Sequence, residues 1–328
     1  DTKRYIVSKH DDRNTLALTD RYDFDKWFKS QANSPLIEHI TDEVVGIVID
    51  DGHYKVYCKK NVISGVDFVI AADGANSKFG EAAHGKFKNY ETIAACESII
   101  DNKTKTSFAH VIQNPTKDPL NGGYSWIFAK KNTANVGTGV VRNYDRYYTI
   151  YKNSLINYAD KIYNIKIERF DRNWIIPLFN VGRNMYIDNT YKSIVIGDAL
   201  GVADVFFAEG WYGSFVNAYE TVEYLKTHNN FEGFKEHWYS LPYAKDMSAL
   251  GFLQTQANGD SVRAFNLLCQ KGVFEGFLDF ISGEIKPSYF VRWVNRHYPI
   301  RSLSLYVRSK MREGKESNGK LYYKASST

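Results

Sequence analysis

The stretch Ile194-Val195-Ile196-Gly197-Asp198-Ala199-Leu200-Gly201 constrains this chain more than any other. A continuous apolar run of this kind reads as a strand covered on both faces, as in parallel sheets. It ends in Gly-Asp, small residues follow, and Glu209-Gly210-Trp211 leads into a helix predicted over Gly213 to Lys226. So many small residues in one strand–loop–helix connection call for close approach of something to the backbone. Asp198 could accept hydrogen bonds from a sugar-like hydroxyl chain; a plain strand–loop–helix connection, with glycines chosen for tight turns, is the alternative. Backbone amides near Glu209-Gly210-Trp211, at the helix start, would face developing negative charge.

Two further signals accompany it. Ile70-Ala71-Ala72-Asp73-Gly74-Ala75-Asn76-Ser77 is a second buried strand, ending in Asp-Gly. It would set a carboxylate and accessible backbone at the carboxyl edge of a sheet, where open α/β sheets bind ligands; a plain Asp-Gly turn is the alternative. Tyr124-Ser125-Trp126-Ile127-Phe128 puts three aromatic rings on one strand face by the period of two, and Gly137-Thr138-Gly139 follows. The rings would wall an apolar slot with the glycines in its side, or simply form core.

Between these signals, ETIAACESII, TSFAHVIQ, GYSWIFAKK and NVGTGVVRN read as successive antiparallel strands. Asp51-Gly52 sits in a β-hairpin, Asp20 caps a helix over Tyr22 to Ala32, and a helix over Tyr147 to Tyr163 carries Tyr147, Ile150, Tyr151, Leu155 and Tyr158 on or near one face. From Gly213 to about Lys310 the chain reads as helical, and its last residues are polar. The organisation predicted is α/β (α+β): residues 1–90 begin an α/β domain, 91–190 form an antiparallel sheet domain and 191–230 return to the first. A helical region, 231–310, and a polar tail, 311–328, complete it.

Composition excludes several classes. With 44% hydrophobic and 24% charged residues the chain is neither disordered nor collagen-like. A net charge of +5 is too weak a bias to argue for nucleic acid. Cys58, Cys96 and Cys269 form no ligand pairs, so no metal site is expected and a reducing compartment fits. The eight histidines are scattered, and no HExxH, GxxxxGK[ST] or GxSxG occurs. The 15% of aromatic residues is read as compositional bias, since Asn and Lys are abundant too.

Taken together the motifs resemble the geranylgeranyl reductase family of FAD-dependent oxidoreductases, over about Thr19 to Ser304. TDRYDFDKWFKSQA is similar to the family's dRxxFDxwLxxxA helix, AADGANSK to its gADGxxS motif, IVIGDALG to its GDAxG motif, and YSWIFAKKNTANVGTG to its YxWxFP…GxG motif. The resemblance implies a partial FAD-binding Rossmann-like domain, interrupted by a substrate-binding sheet and followed by a small helical domain. It implies FAD contacts from Arg21, Asp73, Gly74, Gly197, Asp198, Gly201, Glu209, Gly210 and Trp211, and a substrate cavity lined by Tyr124, Trp126, Phe128, Gly137 and Gly139. The family's Pro after YxWxF is Ala129 here, its loop Pro is Val205, and a Gly before Glu-Gly is Ala208. No GxGxxG fingerprint occurs, so the FAD diphosphate seat is expected to be absent from this sequence; a fragment is the favoured reading, and a unit supplied by another chain or a dead cofactor site are the alternatives.

The activity implied is flavin-dependent reduction of carbon–carbon double bonds in isoprenoid lipid chains, with NADPH or ferredoxin as undetermined electron donor and no catalytic residue singled out. A flavin monooxygenase or halogenase of the same superfamily is the alternative enzyme, and a cofactor-free isoprenoid-binding protein the alternative of another class. The expected partner is a prenyl-chain lipid, not nucleic acid, and the oligomeric state stays open. A cytoplasmic location is expected, with peripheral contact to an anionic membrane. From Ile285 to Arg312 there are seven basic residues (Lys286, Arg292, Arg296, Arg301, Arg308, Lys310, Arg312) and no acidic one, interleaved with Tyr289, Phe290, Trp293, Tyr298, Leu303, Leu305 and Tyr306.

Overall fold

The computed structural model describes residues 19–113, 123–141, 144–259, 267, 270, 272–281, 284–304 and 307. The polar tail, 311–328, and the residues before Thr19 lie outside them.

Asp20 caps helix α1 (Arg21–Gln31) as its sequence predicts, its carboxylate accepting from the Tyr22 amide at 3.2 Å. Strands β1 (Val44–Asp50) and β2 (His53–Cys58) turn on Asp51 and Gly52, both at positive φ (50° and 78°). Paired positive φ values give the turn whose twist matches a hairpin. Strand β3 (Val62–Val66) completes this sheet, and the Tyr54 hydroxyl anchors it to the Asp188 carboxylate.

Strand β4 (Val69–Ala71) pairs in parallel with β10 (Ser193–Val195), joining segments that flank the intervening antiparallel sheet. β10 is buried throughout, as expected. β4 is not, because Ile70 is exposed, so the expectation of a strand covered on both faces fails there.

The antiparallel sheet contains β5 (Thr92–Asp101), β6 (Phe108–Gln113), β7 (Gly123–Ala129), β8 (Thr133–Val141) and β9 (Arg172–Pro177), in the order β6-β7-β8-β5-β9. Four of these are legible in sequence; β9 is not. Its first four residues are all exposed, so it lacks the alternation that marks a half-buried strand. Helix α3 (Tyr144–Tyr163) covers one face. It buries Leu155 and Ala159 against Ile127, Ala129, Ala134 and Val136, and its Tyr151 is buried as well. Ile150, expected on this face, is exposed, because the contact stripe runs at strict i, i+4 spacing.

Helix α2 (Lys78–His84) follows β4. After β10 come α4 (Trp211–His228), α5 (Phe234–Ser240), α6 (Pro242–Gly259), α7 (Val273–Ile281) and α8 (Pro287–His297). The main core lies where β10 and the loop after it meet these helices, around Ile194, Leu200, Phe231, Trp238, Leu250 and Phe290. No helix among the described residues is long and apolar enough to cross a membrane.

Candidate functional site

Asp198 stands at the carboxyl end of β10, in a short helical turn over Gly197–Ala199. Gly197 adopts φ +61°, and its amide donates to the Asn217 side chain at 3.0 Å, which ties the turn to α4. The Asp198 Oδ1 atom is buried and has no hydrogen-bond partner. Burial pushes its carboxyl above the ordinary range; the charge of Arg21 opposes that and the charge of Glu209 adds to it. A buried acceptor with nothing donating to it is costly and marks a place where an external donor would be stabilising. A Cβ on Gly210 would lie 3.0 Å from Oδ1, so glycine keeps the space beside the carboxylate clear.

The loop from Asp204 to Gly210 is organised from within. Asp204 accepts from the amides of Phe206, Phe207 and Glu209 at 2.8, 2.6 and 2.8 Å. Even so, burial holds its carboxyl above the ordinary range. The Asp204 amide donates to the Glu209 carbonyl and the Ala208 amide to the Asp204 carbonyl, closing the loop on itself. Sequence reasoning missed Asp204; the signal was an Asp before bulky apolar residues in a loop, the pattern of side-chain-to-backbone turn formation. Ala208 sits at φ +59°, a left-handed conformation that costs a residue with a Cβ. This is the position at which the resembled motif carries glycine.

Glu209 changes the reading of the α4 N-terminus. Its carboxylate accepts from the amides of Trp211 and Tyr212, at 2.5 and 3.2 Å. The amides expected to face external negative charge are therefore capped by the chain's own carboxylate. Gly201 likewise serves a neighbour. It has φ +77°, and a Cβ there would come within 2.3 Å of the Arg183 guanidinium. Arg183 is buried, donates to the carbonyls of Leu178 and Leu200 at 3.2 and 2.7 Å, and pairs with Glu91 at 3.0 Å.

Arg21, at the start of α1, makes two 3.1 Å hydrogen bonds to Asp25 and is exposed. Its helix is held in place from both sides. Lys130, just beyond β7, pairs with Asp20 at 3.2 Å and holds that carboxyl below its ordinary range, while Phe24 and Phe28 pack edge-on against Trp211 and Phe215 of α4. Asp73 is exposed, and Gly74, at φ +84°, faces open space. The His84 ring bridges the Gly85 and Ala199 carbonyls at 2.8 and 2.9 Å, linking α2 to the Asp198 turn.

On β7 the side chains of Ser125, Ile127 and Ala129 are buried, Ile127 and Ala129 in the core beneath α3, whereas Tyr124, Trp126 and Phe128 are half-buried on the opposite face. The Tyr124 hydroxyl donates to the Phe207 carbonyl, so the aromatic strand also holds the Asp204 loop; burial pushes the Tyr124 hydroxyl above its usual range. Trp126 Nε1 donates to Asn135 at 2.6 Å and Asn135 donates to Glu97 at 2.9 Å. The two glycines do not leave open wall. A Cβ on Gly137 would meet the Trp126 indole at 2.2 Å, and one on Gly139 would meet Ile93 at 3.0 Å. A cleft of about 420 Å³ lies elsewhere, between α4 and the α5–α6 junction, lined by Tyr212, Phe215, Tyr219 and Tyr243 among others.

No family model matches the chain. The digeranylgeranylglycerophospholipid reductase of Methanococcus vannielii is 27% identical over 172 residues, which are 49% of this chain and 42% of that protein. The protein of the same name from Methanococcus aeolicus is 33% identical over 111 residues, 31% of this chain and 27% of that protein. The chain thus spans less than half the length of either curated relative. Among solved structures, a geranylgeranyl bacteriochlorophyll reductase-like protein from Thermoplasma acidophilum superposes with a TM-score of 0.50 at 18% identity, covering 81% of this chain and 68% of that one. A tryptophan 6-halogenase from Streptomyces toxytricini superposes with a TM-score of 0.51 at 11% identity, over 90% and 66% of the two chains. At these identities the structural likeness is one of fold. Over part of its length the chain is thus similar in sequence to two proteins named digeranylgeranylglycerophospholipid reductase, and its mixed α/β fold is like that of the Thermoplasma acidophilum protein, the likeness the motifs had led one to expect.

Proposed function

We propose that this chain carries the ribityl-binding turn and the aromatic sheet of an FAD-dependent reductase acting on carbon–carbon double bonds of prenyl lipid chains. The observation that carries the reading is the buried, unpartnered Oδ1 of Asp198 beside Gly210. Hydroxyl groups of a ribityl chain are donors that fit that orphan acceptor, and the open approach at Gly74 fits a backbone contact to the same cofactor. The names of the curated relatives support the substrate class.

The chemistry that reduced FAD supplies when bound is hydride transfer to one alkene carbon, with a proton completing the other. The chain's own part is positioning and exclusion of water. Asp198 accepts from the cofactor's hydroxyls. Asn217 and His84 fix the turn that holds Asp198, and the Tyr124 hydroxyl fixes the neighbouring Asp204 loop. Trp126 and Phe128 present apolar surface for an alkyl chain. The electron donor, NADPH or ferredoxin, stays open.

The test is anaerobic incubation of the chain with dithionite-reduced FAD and a geranylgeranylated glycerophospholipid, followed by mass spectrometry. The reading expects a gain of two hydrogens per reduced double bond, dependent on the protein and diminished in Asp198→Ala. FAD titrated against both proteins by fluorescence gives the binding arm. Loss of the Asp198 acceptor should weaken binding by about 1–3 kcal/mol. Equal affinity in the two proteins would remove Asp198 from the site.

A further inference from the structure

The C-terminal helical segment has two unlike sides. Phe290 and Val294 of α8 are buried in the main core, Val291 is buried too, and Trp293 and Tyr298 pack half-buried against that core. Three aromatic residues that the sequence marks for a membrane boundary, Phe290, Trp293 and Tyr298, are therefore committed inward. The outward set is different. Lys286, Arg292, Arg296 and Arg301 are exposed. So are Tyr289 at 55%, Ile300 at 83% and Leu303 at 62%. Residues 299–304 continue as helix beyond the turn at Tyr298, so these side chains belong to one short helical arm. No acidic residue occurs from Ile285 to Arg312. Asp246, which touches the arm, accepts from the Ser288 amide at 3.3 Å.

We propose that this arm is a docking surface for an anionic lipid bilayer. Four exposed cations in a stretch without acids complement a negatively charged surface, and Ile300 and Leu303 are apolar groups of the size that insert at the headgroup boundary. A solvated helix face would place polar side chains where Ile300 and Leu303 stand. The combination of exposed aliphatic side chains and exposed cations in one short segment suits a lipid interface. The surface exists whether or not the flavin reading holds.

The test is co-sedimentation of the full chain with vesicles of phosphatidylcholine alone, and of phosphatidylcholine mixed equally with phosphatidylglycerol. Each is run in low salt and in 1 M salt, where the Debye length shrinks to about 3 Å. Binding is expected to the anionic vesicles only, and to weaken strongly in high salt. The triple substitution Arg292→Gln, Arg296→Gln, Arg301→Gln should lower the partition coefficient by about a hundredfold. Ile300→Ser with Leu303→Ser should lower it about tenfold or more in low salt. Lys86→Gln, Lys166→Gln, Arg169→Gln removes the same charge from exposed sites elsewhere and should leave binding intact. Far-ultraviolet dichroism confirms that each variant is folded. Absence of binding to anionic vesicles overturns the proposal, as does an equal loss in the control triple. Salt-sensitive binding to transfer RNA without vesicle binding overturns it in favour of a nucleic-acid surface. No cofactor or prenyl substrate is present in the assay, so its failure leaves the reductase reading standing, and the converse holds too.

Discussion

Replacing Asp198 with Asn separates what the residue costs the fold from what it offers a ligand. In the structure Oδ1 is buried without a partner, and burial holds the carboxyl above its ordinary range. Leaving one buried acceptor unmade costs about 1–3 kcal/mol, more when the group is charged. Asn keeps the shape and removes the charge, so Asp198→Asn should stabilise the ligand-free chain by about 1–2 kcal/mol near neutral pH. For a chain of 328 residues that is a rise in melting temperature of about 1.5–3 °C. The sign of the pH dependence follows from the raised pKa. Asp198 takes up a proton more readily in the folded state than in the unfolded one. Its penalty is therefore absent below the unfolded value near 4 and grows as pH rises through the higher folded value. The stability gap between the Asp198→Asn variant and the wild-type chain should be small at the acid end and widen towards neutral pH. The measurement is urea unfolding of both proteins across that range, with FAD titration alongside. FAD affinity should move the other way, as function and stability trade against each other at such sites. A variant less stable than wild type at neutral pH, or a gap that does not change with pH, would refute the reasoning.

Three further outcomes are expected. Ala208→Gly removes about 1–2 kcal/mol of left-handed strain against about 0.5–1 kcal/mol of extra backbone entropy, so its melting temperature should hold or rise. Ala208→Val, by contrast, should lose about 2 kcal/mol. Gly137→Ala drives a Cβ into the Trp126 indole and the Cys96 carbonyl, at 2.2 and 2.6 Å, and should cost about 2–3 kcal/mol. Denaturant unfolding of the double-mutant cycle with Trp126→Ala should show a coupling of about 0.5–3 kcal/mol, since only the indole part of the clash is relieved. Glu91→Gln leaves Arg183 buried without its carboxylate and should cost about 3–5 kcal/mol. Burial pushes the Glu91 carboxyl up, but hydrogen bonds from Lys88 and Asn180 and the Arg183 charge hold it below its ordinary range. Its contribution is present above the unfolded pKa and is lost as pH falls through the lower folded value, so the wild-type advantage should shrink in acid unfolding curves.

What the sequence determined was whatever depends on near neighbours along the chain. The Asp20 cap, the Asp51-Gly52 hairpin, the strand runs of β5 to β8 and the buried run of β10 each follow from local backbone preference and residue patterning. The Gly-Asp turn at Gly197-Asp198 was legible for the same reason, and with it the acceptor at the centre of the proposed site.

Tertiary structure decided who meets whom. A glycine in the sequence says that something comes close; it does not say what. Gly201 makes room for Arg183 and Gly137 for the Trp126 indole, both groups of this chain, whereas Gly210 clears the space beside the unpartnered Asp198. Glu209 was readable as a charge at a helix start, but that its carboxylate takes the Trp211 and Tyr212 amides depends on how the Asp204 loop closes. Strand β9 pairs with β5 without an alternating pattern of its own, because an edge strand takes its register from the ladder beside it. In the C-terminal arm, composition counted aromatic and basic residues together, and only packing against the core turned Phe290 inward and left Ile300 and Arg296 outside. Periodicity names the face of a residue, while the partner of that face is fixed by contacts between segments distant in sequence, and those are set by the folded chain as a whole.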